Sequence, residues 1–400
     1  MPNAAVGAGS GPGGQQPASG MGANPFQIAT NLYAEKNLQG AQTGLLLSAN
    51  PVVSGGSVNA GQYLRALRLM YRSITPAAAG GSALNLDAPF SAFTQLDLTN
   101  VDGSEILYNM GGYAYYLGEK YFRPWLTDPA KRYDFVIPTA TTGGSCTLSL
   151  MPEIRFTAGV LANTDTRSQY RFDYSLSGAG LGTFTTFPTV ALIPYMDAWA
   201  QPDAQDLQGT PNQPVPPGVN LQIKRRHQIF TLNANGSDNV LLSTLTGNAL
   251  RGMVLVTRNA SNVRVDGFTD PIYWQLDNRS LGRLNPDIVR QWVEDFYNDD
   301  NIYGMSSQAP GAAGAFTSNN ASDPIGANAL YNGAGAADLG VYGFQRFMDP
   351  GELYGQGWLY TANSTKLQWE SVTANSAATA ELITDEVYPV GAVDPSLVDI

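Results

Sequence analysis

One well-marked helix stands in a sequence whose other segments have the features of strands and turns. The segment 285–298 opens with Asn285, which can cap a helix, and Pro286, which suits the first helical position. Its large apolar side chains recur at helical spacing and share one face: Ile288, Val289, Trp292, Val293 and Phe296. A helix that occurs once in a long run of strands restricts the chain to a few architectures.

A possible second helix lies in the first half of the chain. The segment 106–122 is rich in tyrosine and is interrupted by Gly111 and Gly112. Its pattern fits a helix broken at these glycines, and it also fits two aromatic strands. With the helical interpretation, each half of the chain has one helix that follows a pair of strands.

Alternation of apolar and polar residues predicts strands through the rest of the chain. In the segment 90–99, Phe90, Leu96 and Leu98 point to one side and polar residues to the other. The 43 glycines and 25 prolines suit many short strands joined by turns. Further strands are predicted at 133–137, 146–150, 154–157, 170–176, 190–195, 228–232, 240–245, 253–257, 263–265, 272–276, 342–347 and 358–361. The last two, 366–373 and 379–388, are predicted to form a hairpin.

The proline-rich segment 201–218 divides the chain, and each half then has about eight short strands, the number found in a jelly roll. The predicted fold is all-β: two consecutive eight-stranded jelly rolls (a double jelly roll) with a flanking helix in each and long surface loops such as 304–340. The domains are predicted at 26–215 and 216–400. Residues 1–25 contain no charged side chain and are predicted to be a flexible N-terminal arm.

Composition and charge exclude several classes of protein. Only 14% of the residues are charged and the net charge is −11, which argues against a protein that coats DNA, since phosphate neutralisation needs Lys and Arg. The single cysteine, Cys146, excludes an internal disulfide framework and favours assembly in a reducing cytoplasm. No stretch approaches the ~18 apolar residues of a membrane helix. The N-terminus lacks the features of a secretory signal.

Few residues could carry catalysis. One histidine, His227, and one cysteine cannot build a zinc site and leave a single possible base for a nucleophile. Two carboxylate pairs are candidates for a glycosidase, Glu153 with Asp173 and Glu370 with Glu381, although alternating strand positions scatter such side chains over outer faces. We therefore predict a protein that is not an enzyme and has no catalytic, cofactor-binding or metal-binding residues.

Four further features have structural interpretations. The glycine-rich segment 178–182 is not followed by a helix, so it fails the test for a dinucleotide loop. Asp295, Asp299 and Asp300 lack the spacing of a calcium loop. The basic run 224–226 is interpreted as solvated or as part of an interdomain salt bridge, with contact to phosphate as the alternative. Core packing and subunit contacts account for the tryptophans better than a sugar-binding face does: Trp199, Trp274, Trp292, Trp358 and Trp369.

The layout resembles that of the double jelly-roll major capsid proteins of tailless icosahedral double-stranded DNA viruses with an internal membrane, such as the tectiviruses. The resemblance is strongest in the second half, where the strand 272–279 leads through Leu284-Asn285-Pro286 into the helix. The segment 331–338 is similar to loops of this family. The resemblance covers the layout from roughly residue 50 to residue 390.

This resemblance implies a structural role. Proteins of the family form homotrimers with a pseudo-hexagonal footprint, and these trimers tile an icosahedral shell around the internal membrane. The implied partners are other copies of the chain, minor capsid and vertex proteins and the membrane, without sequence-specific binding of nucleic acid. The implied location is the virion, after assembly in the host cytoplasm. Two alternatives stay open: another viral spike, fibre or surface structural β-protein, and a carbohydrate-binding or carbohydrate-active jelly-roll protein.

Overall fold

The computed structural model describes residues 33–37, 42–58, 62–75, 83–85, 87–122, 129–132, 134–136, 138, 143–150, 160–163, 167, 169–200, 221–233, 236–242, 249–265, 267–268, 272–277, 279–285, 341–344, 358–361, 364–373 and 377–389. Several sequence predictions lie outside these residues: the arm 1–25, the strand 154–157, the segment 201–218, the helix 285–298 beyond Asn285, and the loop 304–340.

Within the described residues the chain forms β-strands of 2 to 14 residues and one α-helix. The strands of the first half are β1 (Tyr33–Asn37), β2 (Gln42–Leu46), β3 (Val52–Ser57), β4 (Gln62–Thr75), β5 (Ala83–Leu84), β6 (Phe93–Thr99), β7 (Glu105–Met110), β8 (Ser145–Leu150), β9 (Leu161–Asn163), β10 (Arg171–Leu176), β11 (Gly182–Thr183) and β12 (Thr189–Ala200). Those of the second half are β13 (Leu221–Thr231), β14 (Ser237–Leu241), β15 (Ala249–Arg258), β16 (Ile272–Leu276), β17 (Arg279–Leu284), β18 (Val341–Phe344), β19 (Leu359–Tyr360), β20 (Leu367–Val372) and β21 (Thr379–Pro389). The helix α1 is Gly112–Phe122.

These strands form four sheets, of which the smallest is the antiparallel pair β5 and β11. The first outer sheet has the order β1-β12-β4-β8, with β2 beside β12 and β9 beside β4. The second outer sheet has the order β14-β20-β16-β17. Between them runs the shared sheet, β18-β15-β21-β13-β7-β6-β10-β3 with β19 beside β15, which takes strands from both halves of the chain. The halves meet where β13 pairs in parallel with β7, with Arg225 opposite Leu107 and Arg226 opposite Tyr108.

Two apolar cores fill the spaces between the sheets. The first core contains side chains of the first outer sheet, α1 and the first-half strands of the shared sheet, and it also takes Val254, Val256 and Ile383 from the second half. The second core surrounds Trp274 and Trp369 of the second outer sheet, which pack against β15 and β21. All ten residues of β15 are buried, because both faces of this strand are covered; its sequence is therefore a nearly continuous apolar run rather than an alternating one.

Helix α1 lies inside the molecule. The predicted segment 106–122 is a strand, β7, followed by a helix that begins at Gly112, so the helical interpretation is correct for its second part. A Cβ at Gly112 would collide with the carbonyl oxygen of Phe90, which explains a glycine at this point. All eleven residues of α1 are buried. It contacts β6 and β8 of the first half and β15 and β21 of the second, so it is wedged between the two halves.

The hairpin predicted from the last two strands is wrong. Strand β20 pairs with β14 and β16 in the second outer sheet, whereas β21 pairs with β13 and β15 in the shared sheet. The physical reason is that both strands supply the second core from opposite sides, Trp369 from one and Leu382 from the other. The chain therefore crosses the sandwich between these strands. Among the described residues, no helix combines the length and the apolar character needed to cross a bilayer.

Candidate functional site: a buried ionic junction between the two halves

The basic run of β13 lies where the two halves meet. Strand alternation places Arg225 on the face that covers α1, and Arg226 on the opposite face. Arg225 Nη1 lies 3.6 Å from Glu119 Oε1 of α1, and its Nε lies 3.6 Å from Asp385 Oδ1 of β21. These side chains are at most 4% exposed. The interdomain salt bridge considered for the run 224–226 is thus present at Arg225, while Arg226 Nε lies 3.1 Å from Glu386 Oε1.

Arg251 joins the same cluster from β15. One of its nitrogens, Nη2, lies 2.7 Å from Asp385 Oδ2 and donates a hydrogen bond of 2.9 Å to the carbonyl oxygen of Phe122. Phe122 is the last residue of α1, where carbonyl groups lack partners within the helix and a positive charge is favourable. A buried arginine of the second half therefore caps the helix of the first half.

A second cluster of charges lies further along the same face. Asp87 of the first half pairs with two arginines of the second, at 2.6 Å from Arg258 Nη1 and 2.8 Å from Arg264 Nε. Arg258 Nε also lies 2.7 Å from Glu381 Oε1, and His227 Nε2 lies 3.4 Å from Glu381 Oε2. Together the two clusters form the ionic junction: Asp87, Glu119, Arg225, His227, Arg251, Arg258, Arg264, Glu381 and Asp385.

Aromatic rings of α1 separate and cover these charges. The guanidinium of Arg225 lies 4.7 Å from the ring centre of Tyr115 and 5.6 Å from that of Phe122. The ring of Tyr113 has Arg258 at 5.6 Å and Arg264 at 5.4 Å. Such cation–π contacts gain strength where water is excluded. The tyrosines of the segment 106–122 therefore line the junction.

The junction is balanced in charge and closed to water. Its four arginines face four carboxylates. Burial by itself would lower the pKa of Arg225 and Arg258, but the neighbouring carboxylates and tyrosines outweigh burial and raise both pKa values. For Glu381, burial acts to raise the pKa, but hydrogen bonds and charges from His227 and Arg258 lower it below its ordinary value. These shifts favour the charged forms of Arg225, Arg258 and Glu381, which suits an ionic contact that holds the two halves together.

The other candidate residues do not form a catalytic site among the described residues. Glu370 lies in the second outer sheet and bonds Asn239 and Gln368, whereas Glu381 lies in the shared sheet, so the pair does not meet. Asp173 pairs with the exposed Arg171. Glu153, Asp295, Asp299, Asp300 and Trp292 lie outside the described residues. No group of three or more His, Cys, Asp or Glu side chains in the described part of the chain could hold a metal ion.

The structural interpretation is confirmed for the glycine-rich segment 178–182. A 3-10 turn, Gly178–Gly180, is followed by strand β11 rather than by a helix. A Cβ at Gly180 would collide with the carbonyl oxygen of Ser91, so close packing of two backbones requires glycine there. The tryptophans in the described residues pack as predicted: Trp199, Trp274 and Trp369 are buried, and Trp358 packs against a small apolar cluster.

Six residues of the junction could not be assigned from the sequence: Asp87, Glu119, Arg251, Arg258, Arg264 and Asp385. One feature of the sequence could have indicated some of these residues. Arg251 and Arg258 bracket the apolar run of β15, and Glu119 stands in the aromatic helix. A charged residue inside a segment that is apolar on all sides must find an opposite charge. Which charge it finds depends on the pairing of distant strands, which the sequence does not show.

No protein-family model and no curated protein matches this chain. Solved structures do match. The major capsid protein P2 of bacteriophage PM2 aligns with 90% of this chain and 98% of its own length, at 12% identity and a TM-score of 0.50. The STIV major capsid protein aligns over 89% and 96%, at 9% identity and a TM-score of 0.56. The PBCV-1 virus capsid aligns over 91% and 98%, at 9% identity and a TM-score of 0.55.

These similarities establish the fold. The alignments run along nearly the whole of each capsid chain. The similarity therefore includes both sandwiches in the same order along the chain, and it is not limited to a single sheet. The chain is an all-β protein with the double jelly-roll fold, as its sequence predicted. The ionic junction lies where the two jelly rolls are joined.

Proposed function

We propose that this chain is the major capsid protein of an icosahedral double-stranded DNA virus. The observation that carries the proposal is the alignment of about nine-tenths of the chain with nearly complete major capsid proteins of three viruses. Similarity of fold alone does not establish function. The fixed arrangement of the two halves is therefore a second observation in favour of the proposal. A shell subunit must hold a fixed shape under contact from many neighbours.

The ionic junction supplies that fixed shape. Its partners come from both halves: Glu119 and Asp87 from the first, and the arginines and Asp385 from the second. A sliding or rotated arrangement would leave buried charges unpaired, which costs about 3–5 kcal/mol for each broken pair. The junction therefore favours one relative orientation of the two jelly rolls over its neighbours.

The finer features of the proposal follow the family resemblance. The two jelly rolls occupy 26–215 and 216–400, and three copies form a homotrimer with a pseudo-hexagonal footprint. Residues 1–25 act as an arm toward neighbouring subunits. The trimers contact one another, minor capsid and vertex proteins, and a membrane inside the shell. The protein is assembled in the host cytoplasm and resides in the virion, where its role is structural rather than enzymatic.

Copy number distinguishes a shell protein from a spike or fibre. In purified virus particles separated on a stained gel, the band identified as this chain by mass spectrometry is expected to be the most abundant. A shell protein is needed in hundreds of copies, whereas a spike is confined to a few positions. A faint band, with another protein dominating the gel, would assign this chain to a minor component and refute the proposal.

A further inference from the structure

A polar row crosses the outer face of the second outer sheet. Asn239 of β14 lies opposite Glu370 of β20, Glu370 lies opposite Tyr273 of β16, and Tyr273 lies opposite Arg283 of β17. Residues directly opposite in adjacent strands point to the same face, so these four side chains form one line. Strands about 4.8 Å apart give the line a length of roughly 14 Å. The sequence neighbours Trp274 and Trp369 point the other way, into the second core.

The row lines a groove whose polar groups are held in place. The groove has a volume of about 620 Å³, within the range of small-ligand sites. Glu370 Oε1 accepts hydrogen bonds from Gln368 Nε2 at 2.7 Å and from Asn239 Nδ2 at 3.3 Å. Gln368 is itself only 3% exposed and also donates to Gln275 Oε1 at 2.8 Å. The carboxylate is therefore fixed, and its second oxygen accepts no hydrogen bond from the described part of the chain.

The chemistry of the row matches a neutral ligand rich in hydroxyl groups. Glu370 offers an acceptor oxygen and Arg283 offers guanidinium donors, while Tyr273 offers an aromatic surface with a hydroxyl at its end. Along this line, one sugar hydroxyl can donate to the carboxylate while another accepts from the guanidinium. The opposite charges of Glu370 and Arg283 cancel, so phosphate and sulfate groups gain little here. The row also lacks the apolar pocket that an amphipathic peptide needs.

From this juxtaposition we propose that the outer face of the second outer sheet binds a neutral oligosaccharide along the line Asn239–Glu370–Tyr273–Arg283. This activity is additional to a structural role in a shell. It gives Glu370 a binding role rather than a catalytic one, since its candidate partner Glu381 lies in another sheet. A subunit that carries such a site on its surface can recognise glycans.

The test uses the full chain, labelled on its amines and applied to an array of neutral and sulfated oligosaccharides. The wild-type protein is expected to retain neutral oligosaccharides, and titration calorimetry with a retained one gives its Kd. Glu370→Gln keeps the shape of the side chain and removes its charge, and Arg283→Met removes the guanidinium. Each variant is expected to weaken Kd at least tenfold. Asp173→Asn is the matched control, because it makes the same charge change on β10 of the shared sheet, away from the groove.

Loss of binding in Glu370→Gln and Arg283→Met, with Asp173→Asn unchanged, supports the site. If Glu370→Gln fails to fold, as judged by its thermal unfolding, Arg283→Met decides alone, because Arg283 is exposed. Retention of no oligosaccharide, retention of sulfated ones only, or equal affinity in wild type and both variants would overturn the proposal.

Discussion

Arg225 of β13 and Glu119 of α1 face each other across the boundary between the jelly rolls, with 3.6 Å between Nη1 and Oε1 and both side chains at most 4% exposed. Because α1 belongs to the first half and β13 to the second, this pair couples the folding of one half to the other. Arg225 also pairs with Asp385, so the junction is a network of charges rather than an isolated contact.

Removing one member of this network should destabilise the protein strongly. Arg225→Met leaves Glu119 and Asp385 buried with less compensation, which is expected to lower the free energy of unfolding by about 3–5 kcal/mol. Urea denaturation followed by tryptophan fluorescence measures the change. Arg171→Met is the control, because it breaks an ion pair with Asp173 that is exposed to solvent and should alter stability little.

The double variant tests whether the two charges interact directly. Arg225→Met combined with Glu119→Gln should be less destabilising than the sum of the single variants, because neither charge is then left alone. Strictly additive losses would show that the two side chains act independently, and this would contradict the network described for the junction.

The junction should weaken in acid through Glu381. Its folded-state pKa is lowered below the ordinary value of 4.5, so its charge adds stability above that value. This contribution is lost as the pH falls through the lower folded-state pKa. Glu381→Gln should therefore be less stable than wild type at pH 7, and the difference should shrink below pH 4.5. Urea unfolding of both proteins between neutral and acid pH measures the difference, and a gap that stays constant would contradict the assignment.

The single cysteine provides a probe of global unfolding. Cys146 is fully buried in the first core, and burial, together with the charge of Asp134, raises the pKa of its thiol well above the ordinary value. Reaction with a thiol reagent at pH 8 should therefore be slow and limited by unfolding, and it should become rapid in urea. Fast labelling of the folded protein would show that the first outer sheet opens locally.

Alanine substitutions at two glycines test whether close backbone packing requires glycine at position 180. Gly180→Ala would place a Cβ against the backbone of Ser91 and should destabilise the protein by about 1–3 kcal/mol. Gly56→Ala, in β3, meets no atom within 4 Å and serves as the control. Thermal unfolding of both variants gives the comparison. Equal midpoints would mean that the backbone at Gly180 can move away.

The fold class could be predicted from the sequence because the patterns that indicate strands and turns each lie within a few neighbouring residues. Alternation and turn residues were enough to place strands such as β8, β10 and β16 close to their observed bounds. The break at Gly111 was also visible, although it separates a strand from a helix instead of dividing one helix. Local patterns carry this information because strand and helix periods are set within a few residues.

The pairing of distant strands was not visible, and it determines the site. Strands β20 and β21 are adjacent in sequence with turn residues between them, so a hairpin was the natural interpretation. They belong to different sheets because each covers the second core from its own side. The ion pairs of Asp87 could not be predicted for the same reason, because its partners Arg258 and Arg264 are more than 170 residues away in the sequence. A buried charge indicates that a partner exists but does not identify it.

The mass of the protein in solution tests the capsid proposal most directly. Size-exclusion chromatography with light scattering, on the full chain at micromolar concentration, should give the mass of a homotrimer, about 128 kDa from three chains of 42.6 kDa. The trimer is expected because large, repeated contacts between identical subunits stabilise a shell protein. A single species at 42.6 kDa that persists as the concentration is raised would contradict the account.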